Sequence, residues 1–289
     1  MPHYTSYDDA ELSYRVLPAR DGSGRSRPPL VCLAGGPGRD AAYLGDLGGL
    51  DAHRDLIVPD SRGTGDSPAA AHPGSYAFPR LAEDLEALRA HLGLERLLLL
   101  AHGAAAATAQ AYAAGHPGRP ARLVLVCPDP RFQGELPRDA QEIYRSRAGE
   151  PWWPEADRAT RRLAETGDPE EARALLPLAA PVTYGRWEEP QRAHAAAEGA
   201  QLRPVPRAGF WQGVDEPARR ALVAGLRQVS CPTLVISGER DAVTGLRAGE
   251  LVAGCFPDAR VRALAGAGHY PWVDEPEPFR AAVEGFLGG

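Results

Sequence analysis

The sequence predicts an α/β fold, a mostly parallel, doubly wound sheet interrupted by a helical insertion. Three observations carry this. Short, continuously apolar runs recur between helical patterns at Pro29 to Ala34, Asp55 to Pro59, Leu97 to Ala101 and Arg122 to Cys127, as expected of strands covered on both faces. From Pro128 to about Val229 that rhythm stops, and strand character returns at Pro232 to Ser237. Regular alternation of strand and helix implies right-handed crossovers and a parallel sheet.

Each element has its own signal. His3 to Leu17 alternates at Leu12, Tyr14 and Val16 and reads as antiparallel edge strands. A polar loop, residues 19–29, leads into the first parallel strand, which ends in the glycine-rich AGGPG of residues 34–38. The second runs into DSRGTGDS, residues 60–67. Leu81, Leu85, Leu88 and Leu92 form one stripe on a helix over Phe78 to Leu92,. Leu97 to Ala101 is the central strand and Ala104 to Ala114 the helix that leaves it. After the insertion come the strand Pro232 to Ser237, a helix from about Thr244, a strand near Arg260 to Leu264 and a last helix from Pro278 to Leu287. The expected division is a core of residues 1–128 and 230–289 and a helical cap of residues 129–229.

Composition narrows the function. The 289-residue chain carries a net charge of −6 without a basic cluster, which argues against nucleic acid or anionic membrane as a partner. No apolar run approaches the roughly 20 residues that span a bilayer, and the first residues lack a charged-then-apolar signal, so a cytoplasmic location is expected. Cys32, Cys127, Cys231 and Cys255 show no C-x-x-C spacing and read as reduced thiols, the first three in or beside strands,. Lysine and asparagine are absent, as a GC-rich genome would favour. Scattered histidines offer no metal-ligand spacing and no nucleotide-binding glycine motif is present, so neither metal nor cofactor is expected.

Five ordered motifs carry chemistry: AGGPG, DSRGTGDS, the turn AHGAA at residues 101–105, SGERDAVT at residues 237–244 and GAGHYPWVDEPEPF at residues 266–279. Together they resemble the α/β-hydrolases of the prolyl iminopeptidase type over nearly the whole chain. The resemblance implies an α/β-hydrolase fold, with AHGAA as the strand-to-helix elbow that carries the nucleophile in G-x-S-x-G. Here Gly103 stands at the serine's place, Ala105 at the last glycine's and Ala34 at the histidine that opens the family's HGGPG.

His269 matches the family's general base, imidazole being the side-chain type suited to taking a proton and returning it. Asp241 matches the carboxylate that orients it, with Asp215 or Glu239 as alternatives. Ala104 and either Gly35 or Gly36 match the amides of an oxyanion hole, Pro37 having no N–H to give. Asp60 and Arg62 are expected to tie their loop to the sheet as a buried ion pair. Ser61 is a nearby hydroxyl with no base placed beside it. His102, which abuts the elbow, is either a packing and hydrogen-bonding residue or a replacement catalyst.

In the family, cap carboxylates hold the substrate's amino terminus. Trp187 and Glu188 match one such W-E pair, whereas AQLRPVP at residues 200–206 lacks the second acid. Trp152, Trp153 and Tyr184 either line an apolar pocket or pack cap on core. The expected partner is a small organic substrate. Three functions fit these residues: a hydrolase of esters, amides or N-terminal proline that lacks its serine, a serine-less catalyst that uses His269 and Asp241 as a base for cyclisation, elimination or isomerisation, and a binding protein without turnover.

Overall fold

Alternation within the central strand explains why helices cover both sides of the sheet. In the computed structural model, which describes residues 1–22, 27–134 and 137–288, that strand is β5. With β1 His3–Thr5, β2 Glu11–Leu17, β3 Leu30–Leu33, β4 Leu56–Pro59, β5 Leu97–His102, β6 Pro120–Val126, β7 Thr233–Gly238 and β8 Ala259–Leu264 it forms one eight-stranded sheet of order β1-β2-β4-β3-β5-β6-β7-β8. The first two strands pair antiparallel and the remaining six run parallel. Leu97, Leu99 and Ala101 face one core and Leu98 and Leu100 the other, because successive side chains leave a strand on opposite sides.

The helices α1 Phe78–His91 and α2 Ala105–Gly115 supply the first core through Phe78, Leu85, Leu88 and the buried alanines of α2. Small side chains on every face let α2 lie close against the sheet while staying buried all round.

From β6 to β7 the described residues contain no strand. They hold α3 Asp139–Ser146, α4 Trp153–Glu165, α5 Pro169–Ala179, α6 Glu189–Ala196, α7 Glu198–Gln201, α8 Pro204–Gly209 and α9 Glu216–Gly225. The chain closes with α10 Leu246–Ala253, the short α11 Pro271–Asp274 and α12 Pro276–Leu287, whose Phe279, Val283 and Leu287 fill the second core. Strand β8 is the exposed edge, with Arg260 and Arg262 on it, a charge pattern that discourages pairing with other chains.

The expected strands and core helices are all present, with ends shifted by a residue or two. The polar loop of residues 19–29 lies partly outside the described residues. Two differences concern the ends of parallel strands. Helix α11 was not expected, because PWVD is too short to show a helical period. The helix expected from Thr244 starts at Leu246, because residues 241–245 form a turn around the Asp241 carboxylate, which accepts the Val243 and Thr244 amides at 2.8 and 3.2 Å.

Candidate active site

Gly103 ends β5 and begins the turn into α2, with φ at +55°. A side-chain-bearing residue is strained in that region and glycine is not. An ideal Cβ built on Gly103 would meet His269 Nε2 at 3.3 Å and His269 Cε1 at 3.7 Å and no other atom within 4 Å. The elbow position therefore points at the imidazole.

On its other side the ring is held by Asp241, whose Oδ2 lies 3.0 Å from Nδ1. Burial by itself would raise the Asp241 pKa. The imidazolium's charge outweighs it, together with hydrogen bonds from His269, the Thr244 hydroxyl at 2.6 Å and the Val243 amide, and holds the pKa at about 2. Asp241 is thus a carboxylate at any physiological pH. The two alternative acids lie elsewhere: Asp215 caps α9 by accepting the Ala218 amide at 2.8 Å, and Glu239 is exposed.

The loop carrying His269 is clamped from three sides. Its own amide donates to Thr183 O at 2.7 Å, the Gly268 amide to Asp274 Oδ2 at 2.8 Å, and Gly185 of the inserted segment donates to the same oxygen at 2.8 Å. Buried Asp274 also accepts from Gln191 Nε2 at 3.1 Å. Backbone meets backbone here, since a Cβ on Gly268 would lie 2.6 Å from Gly185 N. That contact is why residues 185 and 268 carry no side chain.

A hydrogen-bonded chain crosses behind the elbow. The Gly35 amide donates to Tyr43 Oη at 2.8 Å, the Tyr43 hydroxyl to His102 Nδ1 at 2.7 Å, and His102 Nε2–H to the His269 carbonyl at 2.8 Å. These partners fix the His102 tautomer. Burial, reinforced by the charge on His269, pushes its pKa well below the usual histidine value. His102 is therefore a neutral bridge between three loops, the packing and hydrogen-bonding alternative rather than a second base. Sequence reading missed Tyr43, which lies in no motif.

The same chain separates the two glycine amides matched to an oxyanion hole. The Gly35 amide is committed to Tyr43, so of the glycine-loop amides it is Gly36 that remains. Among the described residues the Gly36 and Ala104 amides donate no hydrogen bond. The loop lies against the elbow, for a Cβ on Gly35 would stand 3.2 Å from Ala104 N. Bonds to the inserted segment and to the histidine loop hold it there: Asp40 N to Gln201 O at 3.1 Å, Arg203 N to Gly38 O at 2.9 Å, and buried Arg39 to Gln201 Oε1 at 2.9 Å and to Tyr270 Oη of the histidine loop at 2.9 Å.

The predicted substrate contacts fare differently. Tyr184 is fully buried and donates to His194 Nδ1 at 2.7 Å, which makes it a packing residue and not pocket lining. His194 Nε2 donates to Tyr43 O at 2.9 Å, and burial lowers the His194 pKa to about 4. The Trp187 ring packs 5.6 Å from that of Tyr184. Glu188 is exposed and begins α6, its amide bonded to Gln191 Oε1 at 3.2 Å. Trp152 stacks 4.6 Å from the Arg147 guanidinium and Trp153 4.5 Å from Tyr144. These aromatic and cation-π partners of both rings lie within the inserted segment.

The expected Asp60–Arg62 pair does not form. Asp60 turns inward at the end of β4 to Arg15 Nη2 at 3.1 Å and Ser13 Oγ at 3.1 Å. Arg62, fully buried, reaches instead to Asp84 on α1 at 2.6 and 2.8 Å and to Asp8 at 2.7 and 2.8 Å. Asp60 directly follows β4 and Arg62 lies in the turn beyond it, so strand periodicity does not bring the two side chains together and they joined different networks.

Cys32, Cys127 and Cys231 are buried thiols outside any disulfide, as expected, and Cys255 is a half-buried thiol likewise outside any disulfide. Cys127, Asp241 and His269 are the one set of three metal-ligating side chains among the described residues whose ligand atoms lie within 4.8 Å of one another. A soft cation there would have to break the His269–Asp241 bond. Burial, and then the Asp241 charge, push the Cys127 thiol well above its usual pKa, so it stays protonated and is a poor nucleophile.

A positive-φ elbow, a buried carboxylate–imidazole pair after β7 and β8, and this strand order define a class, and residues 28–276 match the family described as alpha/beta hydrolase fold. The chain belongs to that family, and its named relatives are hydrolases. It is 23% identical over 281 residues to a proline iminopeptidase of Heyndrickxia coagulans, covering 90% of each chain. It is 27% identical over 264 residues to a pimeloyl-(acyl-carrier protein) methyl ester esterase of Aeromonas hydrophila subsp. hydrophila, covering 90% of this chain and 96% of that one. Among solved structures it resembles the esterase RhEst1 from Rhodococcus sp. ECU1013, with a TM-score of 0.73, 26% identity and coverage of 100% of this chain and 98% of that one. No helix of the described residues is long and apolar enough to cross a membrane.

Proposed function

We propose that this chain is a hydrolase-fold enzyme that works on a small organic carbonyl compound without forming an acyl-enzyme. His269 is the general base, Asp241 its orienting carboxylate, and residues 129–229 a cap that closes over the substrate. The observation that carries the proposal is the position of Gly103: a Cβ there would meet the His269 ring, Nε2 first, and no other residue beyond its chain neighbours within 4 Å, yet glycine has no atom to attack with. The base is therefore free to take its proton from a substrate water or from the substrate itself.

In the hydrolytic form, water is deprotonated by Nε2 and attacks the carbonyl carbon. The resulting oxyanion is met by the Gly36 and Ala104 amides. The imidazolium, stabilised by Asp241, then returns the proton to the leaving group. Removing a triad member from a serine protease still leaves about 10³ to 10⁴-fold catalysis from binding and the oxyanion hole, so the lack of a nucleophile does not make such a site inert. Amino-terminal peptidase activity is the weaker form of the reading, because Glu188 is exposed and AQLRPVP supplies no second acid.

The test is turnover of a panel of p-nitrophenyl esters by the unmodified chain and by His269→Ala. The expected result is a slow, burst-free release of nitrophenol that falls at least 100-fold in His269→Ala. Equal rates from the two proteins would remove His269 from the chemistry and leave a binding role.

A further inference from the structure

Beside the elbow, a cavity of about 40 Å³ lies between the carboxyl ends of β3 and β4, helices α1 and α2, and Phe210 of the inserted segment. Carboxyl ends of parallel strands are where open α/β sheets bind ligands. Both small-residue departures from the family's motifs line it, Ala34 in place of histidine and Ala105 in place of glycine. Its other walls include Leu33, Leu81 and Leu85, with the Asp60 and Asp84 carboxylates engaged by Arg15 and Arg62.

One fully buried side-chain polar atom there has no partner. Thr108 Oγ1 on α2 is buried and makes no hydrogen bond, and Thr108 is only 5% exposed. A helical threonine ordinarily turns its hydroxyl back to the carbonyl four residues earlier. Leaving that hydroxyl unpaired is costly, which marks the cavity as built for a group that bonds to it.

We propose that this cavity is a specificity pocket for a short arm of the substrate, about three heavy atoms long and tipped by a hydroxyl that pairs with Thr108. The length follows from the volume, since one water needs roughly 10–15 Å³ on this scale. The pocket deepens the carbonyl-substrate reading above and rests on it for its role in turnover.

The test compares two isosteric arms, 3-hydroxypropanoyl and butyryl. In a Gly103→Ser background, kcat/KM is measured for their p-nitrophenyl esters, each relative to spontaneous hydrolysis, with and without Thr108→Val. The expected result is a loss of about fivefold or more for the hydroxyl-tipped ester and a change within about twofold for butyrate. Equal effects on both esters overturn the proposal.

Saturation-transfer NMR on the unmodified chain with 3-hydroxypropanamide and butyramide needs no turnover. Stronger saturation of the hydroxylated amide, lost in Thr108→Val, supports the pocket. Saturation of neither amide, or of both without regard to Thr108, overturns it and leaves a cavity for solvent only. Amide binding without ester turnover would instead retain the pocket and reject the carbonyl-substrate reading.

Discussion

Glycine at position 103 relieves backbone strain that any nucleophile must bear. With φ at +55°, a side chain costs about 1–2 kcal/mol, and its Cβ would press on His269 Nε2 at 3.3 Å. Gly103→Ser is therefore expected to lower the unfolding free energy by about 1 kcal/mol in urea titrations while supplying the missing hydroxyl. A second residue-scale expectation concerns Tyr43. Tyr43→Phe leaves the Gly35 amide and His102 Nδ1 without their partner, so stability should drop by about 1–3 kcal/mol. No drop would mean that the Gly35–Tyr43–His102 chain is dispensable.

Among the elements, two buried acids decide how the loops at the strand ends are fixed. Asp274 of α11 binds the Gly268 and Gly185 amides and Gln191, so it joins the histidine loop to the inserted segment. Arg62 joins the loop after β4 to α1 through Asp84. Arg62→Met strands a buried carboxylate and is expected to cost about 3–5 kcal/mol, whereas Arg62→Met with Asp84→Leu should recover most of that loss. A double variant no more stable than the single one would place the stabilisation elsewhere.

These elements also show what was legible beforehand. The leucines of β5 announced a buried strand, and five motifs placed Gly103, Asp241 and His269 on neighbouring loops. Tyr43, Asp274 and the true partners of Arg62 were hidden, since each makes at least one of its bonds to a residue 22 or more positions away and leaves no period or motif behind. Tyr184 stayed undecided for the opposite reason. A tyrosine near tryptophans looks the same in sequence whether it lines a pocket or fills a core.

At the scale of the whole molecule, the sheet stores part of its acid stability in the site. The Asp241 pKa of about 2 lies below its ordinary 3.8, so folding favours the ionised form. That contribution is complete above the unfolded pKa and is lost as pH falls through about 2, amounting to about 2 kcal/mol. Asp241→Asn should accordingly flatten the dependence of unfolding free energy on pH between about 4 and 2. An unchanged slope would show that the carboxylate is not held by its neighbours.

The central proposal is that the elbow keeps a working base and oxyanion-stabilising amides without a nucleophile of its own. The most direct measurement is labelling of Gly103→Ser and of the unmodified chain by a fluorophosphonate, read as intact mass. The account predicts one adduct on the serine variant, blocked by His269→Ala, and none on the unmodified chain. A serine variant that stays unlabelled while remaining folded would contradict it, because the base and amides would then not be poised at position 103.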